Sequence, residues 1–98
     1  MITGKCKSNF LLWLQDKEVA PYTQMFDSIP EIVQTAYIIE WFDSIGIYIS
    51  ISAKYESVFY WEAWNTIVYD CKSGTKKSRQ EATKQAIITA NNFYNENN

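Results

Sequence analysis

The clearest hydrophobic pattern in the chain lies at residues 47–53, where isoleucine alternates with tyrosine and serine. Successive side chains of a strand point to opposite faces, so this alternation predicts a strand with one buried and one exposed face. A turn at residues 54–57 then leads into a second apolar segment at residues 58–64. The two segments are predicted to pair as an antiparallel hairpin.

In the second predicted strand, Phe59, Trp61 and Ala63 occupy the buried parity. Hairpin pairing fixes which side chains share a face, so the remaining side chains of the second strand lie on the same face as Tyr48 of the first strand. The exposed sheet face is therefore predicted to carry four candidate partner-binding residues, Tyr48, Tyr60, Glu62 and Trp64. A carboxylate among aromatic rings suits contact with a cation or a sugar. The alternative is that Glu62 is an ordinary outward residue that pairs across the sheet.

The β-type sequence continues to Asp70, which is longer than an ordinary strand. Asn65 and Thr66 are the one turn-favouring pair within it, so a break is predicted there. A third strand is then predicted at residues 67–69. Residues 71–77 are polar and basic and are predicted to form a loop.

The N-terminal segment predicts a short helix. Ser8 or Asn9 can cap it, because a side-chain oxygen there can accept an N–H of the first turn, and the helix continues through Gln15. Pro21 should end whatever precedes it. Residues 22–27 are ambiguous and allow one helical turn.

Ser28 and Glu31 have the spacing of a capping box and predict the start of a second helix. Gly46 suits the left-handed residue that follows a helix, so the helix should end near residue 44 or 45. Its apolar residues cover more than one stripe, which predicts burial between the sheet and the N-terminal segment.

Ser78 and Glu81 form a second capping box, which predicts a third helix. Ala82, Ala86 and Ala90 share its buried face, and the small side chains permit close approach to the sheet. Ile88 points the other way. The asparagine-rich end at residues 91–98 is predicted to fray into solvent.

Together these elements predict one α+β domain over residues 1–98, with the order α-α-β-β-β-α and helices on one face of a three-stranded antiparallel sheet. Apolar residues make up 47% of the 98 residues and aromatic residues 16%, which suffices for a core without a disulfide or a metal. No segment resembles a secretory signal or approaches the roughly 20 apolar residues of a membrane span. We expect a cytoplasmic protein in which Cys6 and Cys71 are reduced.

The chain contains no histidine, which removes the common serine, cysteine and metal mechanisms that depend on an imidazole. Its three glycines form no phosphate-binding loop, and the two distant cysteines supply too few ligands for zinc. We therefore predict a protein without enzymatic activity, cofactor or metal. An aromatic sheet face favours a module that binds a protein partner or a second copy of itself.

The net charge of −2 is unevenly distributed. The middle of the chain is acidic, whereas basic residues concentrate after residue 70. Such a cluster allows an alternative function, nucleic-acid binding by the predicted basic loop and the start of the last helix. Its candidate residues are Lys72, Lys76, Lys77, Arg79 and Lys84.

The opening of the last helix, with Ser78, Arg79, Glu81 and Ala82, resembles small uncharacterised proteins of bacteriophages and prophages of gut bacteria. The segment at residues 41–46, Trp-Phe-Asp-Ser-Ile-Gly, is similar to the turn into their first strand. This resemblance implies an architecture and a viral origin, with no activity attached.

The order helix, three strands, helix also resembles the double-stranded RNA-binding domain, which places lysines at the start of its last helix against phosphates. The Gly-Pro-x-His loop of that family is absent, since the turn at residues 54–57 reads Lys-Tyr-Glu-Ser. The acidic second helix also argues against a polyanionic partner.

Overall fold

The computed structural model describes residues 1–17 and 25–97. The elements follow one another as α1 (Gly4–Asp16), a 3-10 turn (Phe26–Ser28), α2 (Glu31–Ser44), β1 (Ile47–Tyr55), β2 (Val58–Asn65), β3 (Asp70–Lys76) and α3 (Arg79–Glu96). The strands form one antiparallel sheet in the order β1-β2-β3, and the helices cover one of its faces. The predicted α+β architecture is confirmed. The predicted stop at Pro21 lies outside the described residues.

The core lies between the sheet and the three helices. Ala82 and Ala86 of α3 pack closely on Trp61 and Ala63 of β2. A larger cluster joins the first two helices to β1 and α3, and the ring of Trp41 lies at its centre, 5.7 Å from the ring of Phe10. The expected burial of α2 between β1 and α1 is confirmed for its C-terminal half. Near its start the expectation is wrong, because Ile32 is 80% exposed.

The predicted hairpin and its parity are confirmed by the register. Tyr48 pairs with Trp64, and the next two outward positions of β1 pair with Glu62 and Tyr60. The turn is shorter than predicted, because β1 continues through Tyr55 with an irregularity after Ala53.

The predicted third strand is wrong. Residues 67–69 belong to a turn, and β3 is the segment at residues 70–76 that was predicted to be a loop. The break at Asn65 and Thr66 is confirmed, since β2 ends at Asn65. Tyr69 has a φ of 55°, which closes the turn and directs Asp70 back along β2. Strand β3 pairs through backbone hydrogen bonds. Its side chains are mostly polar, so the sequence pattern did not predict a strand there.

Two of the predicted helix starts are wrong. Helix α1 begins at Gly4 with Thr3 as the N-cap residue, upstream of Ser8. Helix α2 has Pro30 as its N-cap and no side-chain cap, because Ser28 belongs to the preceding 3-10 turn. Two predicted boundaries are confirmed. Ser78 accepts a hydrogen bond from the Glu81 amide at 3.1 Å, and α2 ends at Ser44 ahead of Gly46, whose φ is 84°.

The asparagine-rich C-terminal segment does not fray as predicted. Helix α3 continues to Glu96, and two of its asparagines hold the start of α1. Asn91 accepts a hydrogen bond from the Thr3 amide at 2.9 Å, and Asn95 accepts one from the Cys6 amide at 2.9 Å. These side chains satisfy N–H groups that α1 cannot satisfy itself.

Candidate functional site

The face of the sheet opposite the helices presents nine side chains in three cross-strand rows. The rows follow directly from the register, because residues paired across an antiparallel sheet share a face. We call this surface the outer sheet face, and it consists of Tyr48, Trp64 and Cys71, then Ser50, Glu62 and Ser73, then Ser52, Tyr60 and Thr75. All four predicted partner-binding residues lie on it.

Glu62 is fixed at the centre of the outer sheet face by the aromatic residues on either side of it in β2. The Trp64 indole N–H donates a hydrogen bond to Oε1 of Glu62 at 2.7 Å, and the Tyr60 hydroxyl donates one to Oε2 at 3.3 Å. Alternate residues of a strand point to the same face, which is why all three side chains meet. The carboxylate is half-buried and oriented before any partner arrives.

The charge of Glu62 has no counterion among the described residues. The ion pairs there join Lys7 to Asp27, Lys17 to Glu40 and Lys84 to Glu31. The Lys54 ammonium lies over the Tyr60 ring, 5.5 Å from its centroid, and forms no ion pair with the carboxylate. The outer sheet face thus presents an oriented negative charge between two aromatic rings.

Cys71 completes the row that contains Tyr48 and Trp64. The pKa of its thiol is raised, mainly by burial and further by the negative charges of Glu62 and Asp70. A thiol with a raised pKa forms little thiolate near neutral pH and is a weak nucleophile. Burial also raises the pKa of Cys6, to about 12. Both cysteines are free, and Cys6 is buried whereas Cys71 is partly exposed.

The turn between β2 and β3 carries three exposed apolar residues, two of which line a cavity with the C-terminal end of α3. We call Ile67, Val68 and Tyr69 the hairpin tip, and Tyr69 is 87% exposed. Thr66 anchors the tip, because its amide and its hydroxyl both donate to the Gly46 carbonyl, at 3.0 and 2.7 Å. Sequence reasoning missed this surface by assigning the three residues to a strand. Their position directly after a turn-favouring pair was the available signal.

The basic residues of the alternative function do not form the predicted loop. Lys72 and Lys76 lie on β3 at positions paired with Ala63 and Phe59, so they belong to the parity that faces the helices. The Lys72 ammonium lies 5.5 Å from the centroid of the Phe93 ring. Lys77 follows the strand and is exposed.

Two further basic residues lie at the start of α3. Arg79 stacks over the Phe59 ring at 5.3 Å, and Lys84 forms an ion pair with Glu31 at 3.4 Å. Both line a cavity of about 460 Å³ between the first turns of α2 and α3, where Ile32 forms an apolar wall. Arg79 therefore contacts an aromatic ring and Lys84 a carboxylate, while both residues remain exposed.

Within residues 1–17 and 25–97, no group of three or more cysteine, aspartate or glutamate side chains lies close enough to hold a metal ion. In the same part of the chain, no helix is both long and apolar enough to cross a bilayer. No protein-family model, curated protein or solved structure matches the chain.

Proposed function

We propose that this protein is a non-enzymatic binding module that recognises another protein through its outer sheet face. The observation that carries this proposal is the fixed arrangement of Tyr60, Glu62 and Trp64 beside the exposed Tyr48. Tyrosine and tryptophan dominate the hot spots of protein interfaces because they bury a large rigid area at little entropic cost. The surrounding serine and threonine hydroxyls supply the polar rim that such interfaces have.

The size of the surface indicates how the partner binds. Strand spacing and rise give the outer sheet face a projected area of about 300 Å², whereas a stable interface buries about 800 Å² on each partner. A partner that binds tightly must therefore extend beyond the sheet. The hairpin tip lies at the end of the sheet that carries Tyr48 and Trp64, and Tyr69 is exposed there, whereas Ile67 and Val68 lie toward the C-terminal end of α3.

The charge of the outer sheet face favours a different protein over a second copy of this chain. Self-association through this face would bring Glu62 near its own counterpart, and like charges in an interface cost several kcal/mol. The basic residues give less support to nucleic-acid binding, because Arg79, Lys72 and Lys84 already contact aromatic rings or Glu31. The proposed partner is therefore a protein.

The free cysteines favour a reducing compartment, so we propose the cytoplasm as the place of action. If the chain comes from a bacteriophage, as the sequence resemblance implies, the partner is a host protein or a virion protein.

Site-specific photo-crosslinking tests this proposal. A benzophenone side chain placed at Tyr48 in the source cells should give one discrete crosslinked protein, and the same probe placed at Leu12, an exposed apolar residue of α1, should not. Nuclease treatment should leave the crosslink intact. Replacing Tyr60 and Trp64 by alanine should abolish it, while replacing Ile32 should not. Equal crosslinking from Tyr48 and Leu12, or none from Tyr48, would refute the proposed surface.

A further inference from the structure

We infer that Glu62 is the receptor for an arginine side chain of the bound protein. This inference rests on the proposed function and names the chemistry that the outer sheet face recognises. It follows from three features of the site: the orientation of the carboxylate, the lack of an ion pair to it among the described residues, and the aromatic surfaces beside it.

The orientation of Glu62 leaves acceptor capacity for an incoming group. Each carboxylate oxygen accepts one hydrogen bond, Oε1 from Trp64 and Oε2 from Tyr60. A carboxylate offers about four acceptor positions in all, so each oxygen can accept again. The two hydrogen bonds already hold the Glu62 carboxylate in one geometry. Binding of the partner therefore costs less free energy, because the carboxylate does not have to be ordered at that step.

No described lysine or arginine forms an ion pair with Glu62. Its cross-strand neighbours are Ser50 and Ser73, which are neutral. The negative charge of Asp70 acts on this region as well, since Asp70 and Glu62 both raise the pKa of Cys71. The Lys54 ammonium lies 5.5 Å from the centroid of the Tyr60 ring, so one aromatic ring of the outer sheet face already contacts a cation of the same chain. A cationic group on the partner therefore matches the site in charge.

The geometry favours guanidinium over ammonium. A guanidinium group donates two parallel hydrogen bonds that match the two oxygens of one carboxylate. Its flat face also stacks on aromatic rings, and Trp64 and Tyr60 lie on either side of Glu62. An ammonium group carries the same charge but has neither the planar fork nor the stacking surface.

The test uses two short peptides, acetyl-Gly-Arg-Gly-amide and the same peptide with citrulline, which keeps the shape of arginine and removes its charge. The readout is the indole N–H resonance of Trp64 in the NMR spectrum of the folded protein, identified by its loss in Trp64→Phe. We expect the arginine peptide to shift this resonance in a saturable manner, with binding at least about tenfold tighter than for citrulline, or 1.4 kcal/mol. Lysine in place of arginine should bind more weakly.

Two carboxylate variants complete the experiment. Glu62→Gln keeps the shape of the side chain and should remove the preference for arginine over citrulline. Glu56→Gln removes an exposed carboxylate from the turn of the same hairpin and should leave that preference unchanged. Equal binding of both peptides, or an unchanged preference in Glu62→Gln, would overturn the inference. If crosslinking from Tyr48 persists in either case, the proposed protein-binding function stands and only the arginine assignment fails.

Discussion

The indole ring of Trp61 lies against the backbone of Gly74, its cross-strand partner in β3. A Cβ atom added to Gly74 would lie 2.9 Å from Nε1 and 3.1 Å from Cε2 of that indole. The ring is almost fully buried beneath α3, so it has little room to move. The absence of a side chain at residue 74 is therefore what allows β3 to pair beside Trp61.

Gly74→Ala should destabilise the protein by about 1–2 kcal/mol, because the cost of overpacking exceeds the gain from a less flexible unfolded chain. Urea denaturation of the single variants, and of Gly74→Ala combined with Trp61→Leu, provides the check. The shorter side chain should relieve most of the clash, so the cycle should show a coupling of about 1 kcal/mol. Additive effects would mean that the two residues do not conflict.

Asn95→Ala should lower the free energy of unfolding by about 1–2 kcal/mol, since the Cys6 amide loses the acceptor that caps α1. The Cys6 amide should also exchange its hydrogen faster. Asn92→Ala serves as the control, because Asn92 is exposed on the same helix. Equal stability of the two variants would show that α1 does not depend on Asn95.

Alkylation of the folded protein should modify Cys71 slowly and leave Cys6 unmodified. Burial raises the pKa of both thiols, but Cys6 is fully buried within the core whereas Cys71 lies on the outer sheet face. In Glu62→Gln, the pKa of Cys71 should fall and its alkylation at pH 8 should accelerate, because one negative charge has gone. Mass spectrometry after timed iodoacetamide treatment measures both rates. An unchanged Cys71 rate in that variant would contradict the electrostatic explanation.

Asp43→Asn should stabilise the protein at pH 7 by up to about 0.5 kcal/mol, a small effect because the side chain is largely exposed. Burial, and then the charge of Glu40, raise the pKa of Asp43 in the folded protein. The folded state therefore binds this proton at a higher pH than the unfolded state does, and stability falls as pH rises through the folded pKa.

The stabilisation by Asp43→Asn should consequently disappear below the unfolded pKa of about 3.9, where aspartate is protonated in both states. Thermal unfolding at pH 3 and pH 7 measures this difference, with Glu56→Gln as the control. A gain of the same size at both values would exclude protonation of Asp43 as its origin.

The hairpin could be predicted because the side chains of both strands show which residues face the core. Ile47 and Ile49 alternate with outward residues, and pairing then fixes the face of every residue opposite them. The same reasoning placed Tyr48 and Trp64 on one face. The hydrogen bonds to Glu62 depend on rotamers, and alternation carries no information about those.

Strand β3 could not be predicted from its own residues. Its inward positions hold lysine and glycine, because Lys72 lies at the edge of the sheet and Gly74 lies beneath Trp61. The apolar residues that favour its pairing belong to the partner strand β2. The start of α1 could not be predicted for a related reason, because the side chains that cap it belong to α3.

The bonds between Thr3 and the asparagines of α3 span sequence separations of 88 and 92 residues. During synthesis on the ribosome, α1 is made before the last helix, so its opening turn gains its acceptors only when Asn91 and Asn95 have emerged. Until then the apolar face that contains Phe10 and Leu14 has no completed core to cover it. We therefore expect this segment to stay exposed until α3 has emerged, and a transiently exposed apolar face is prone to aggregation and to capture by chaperones.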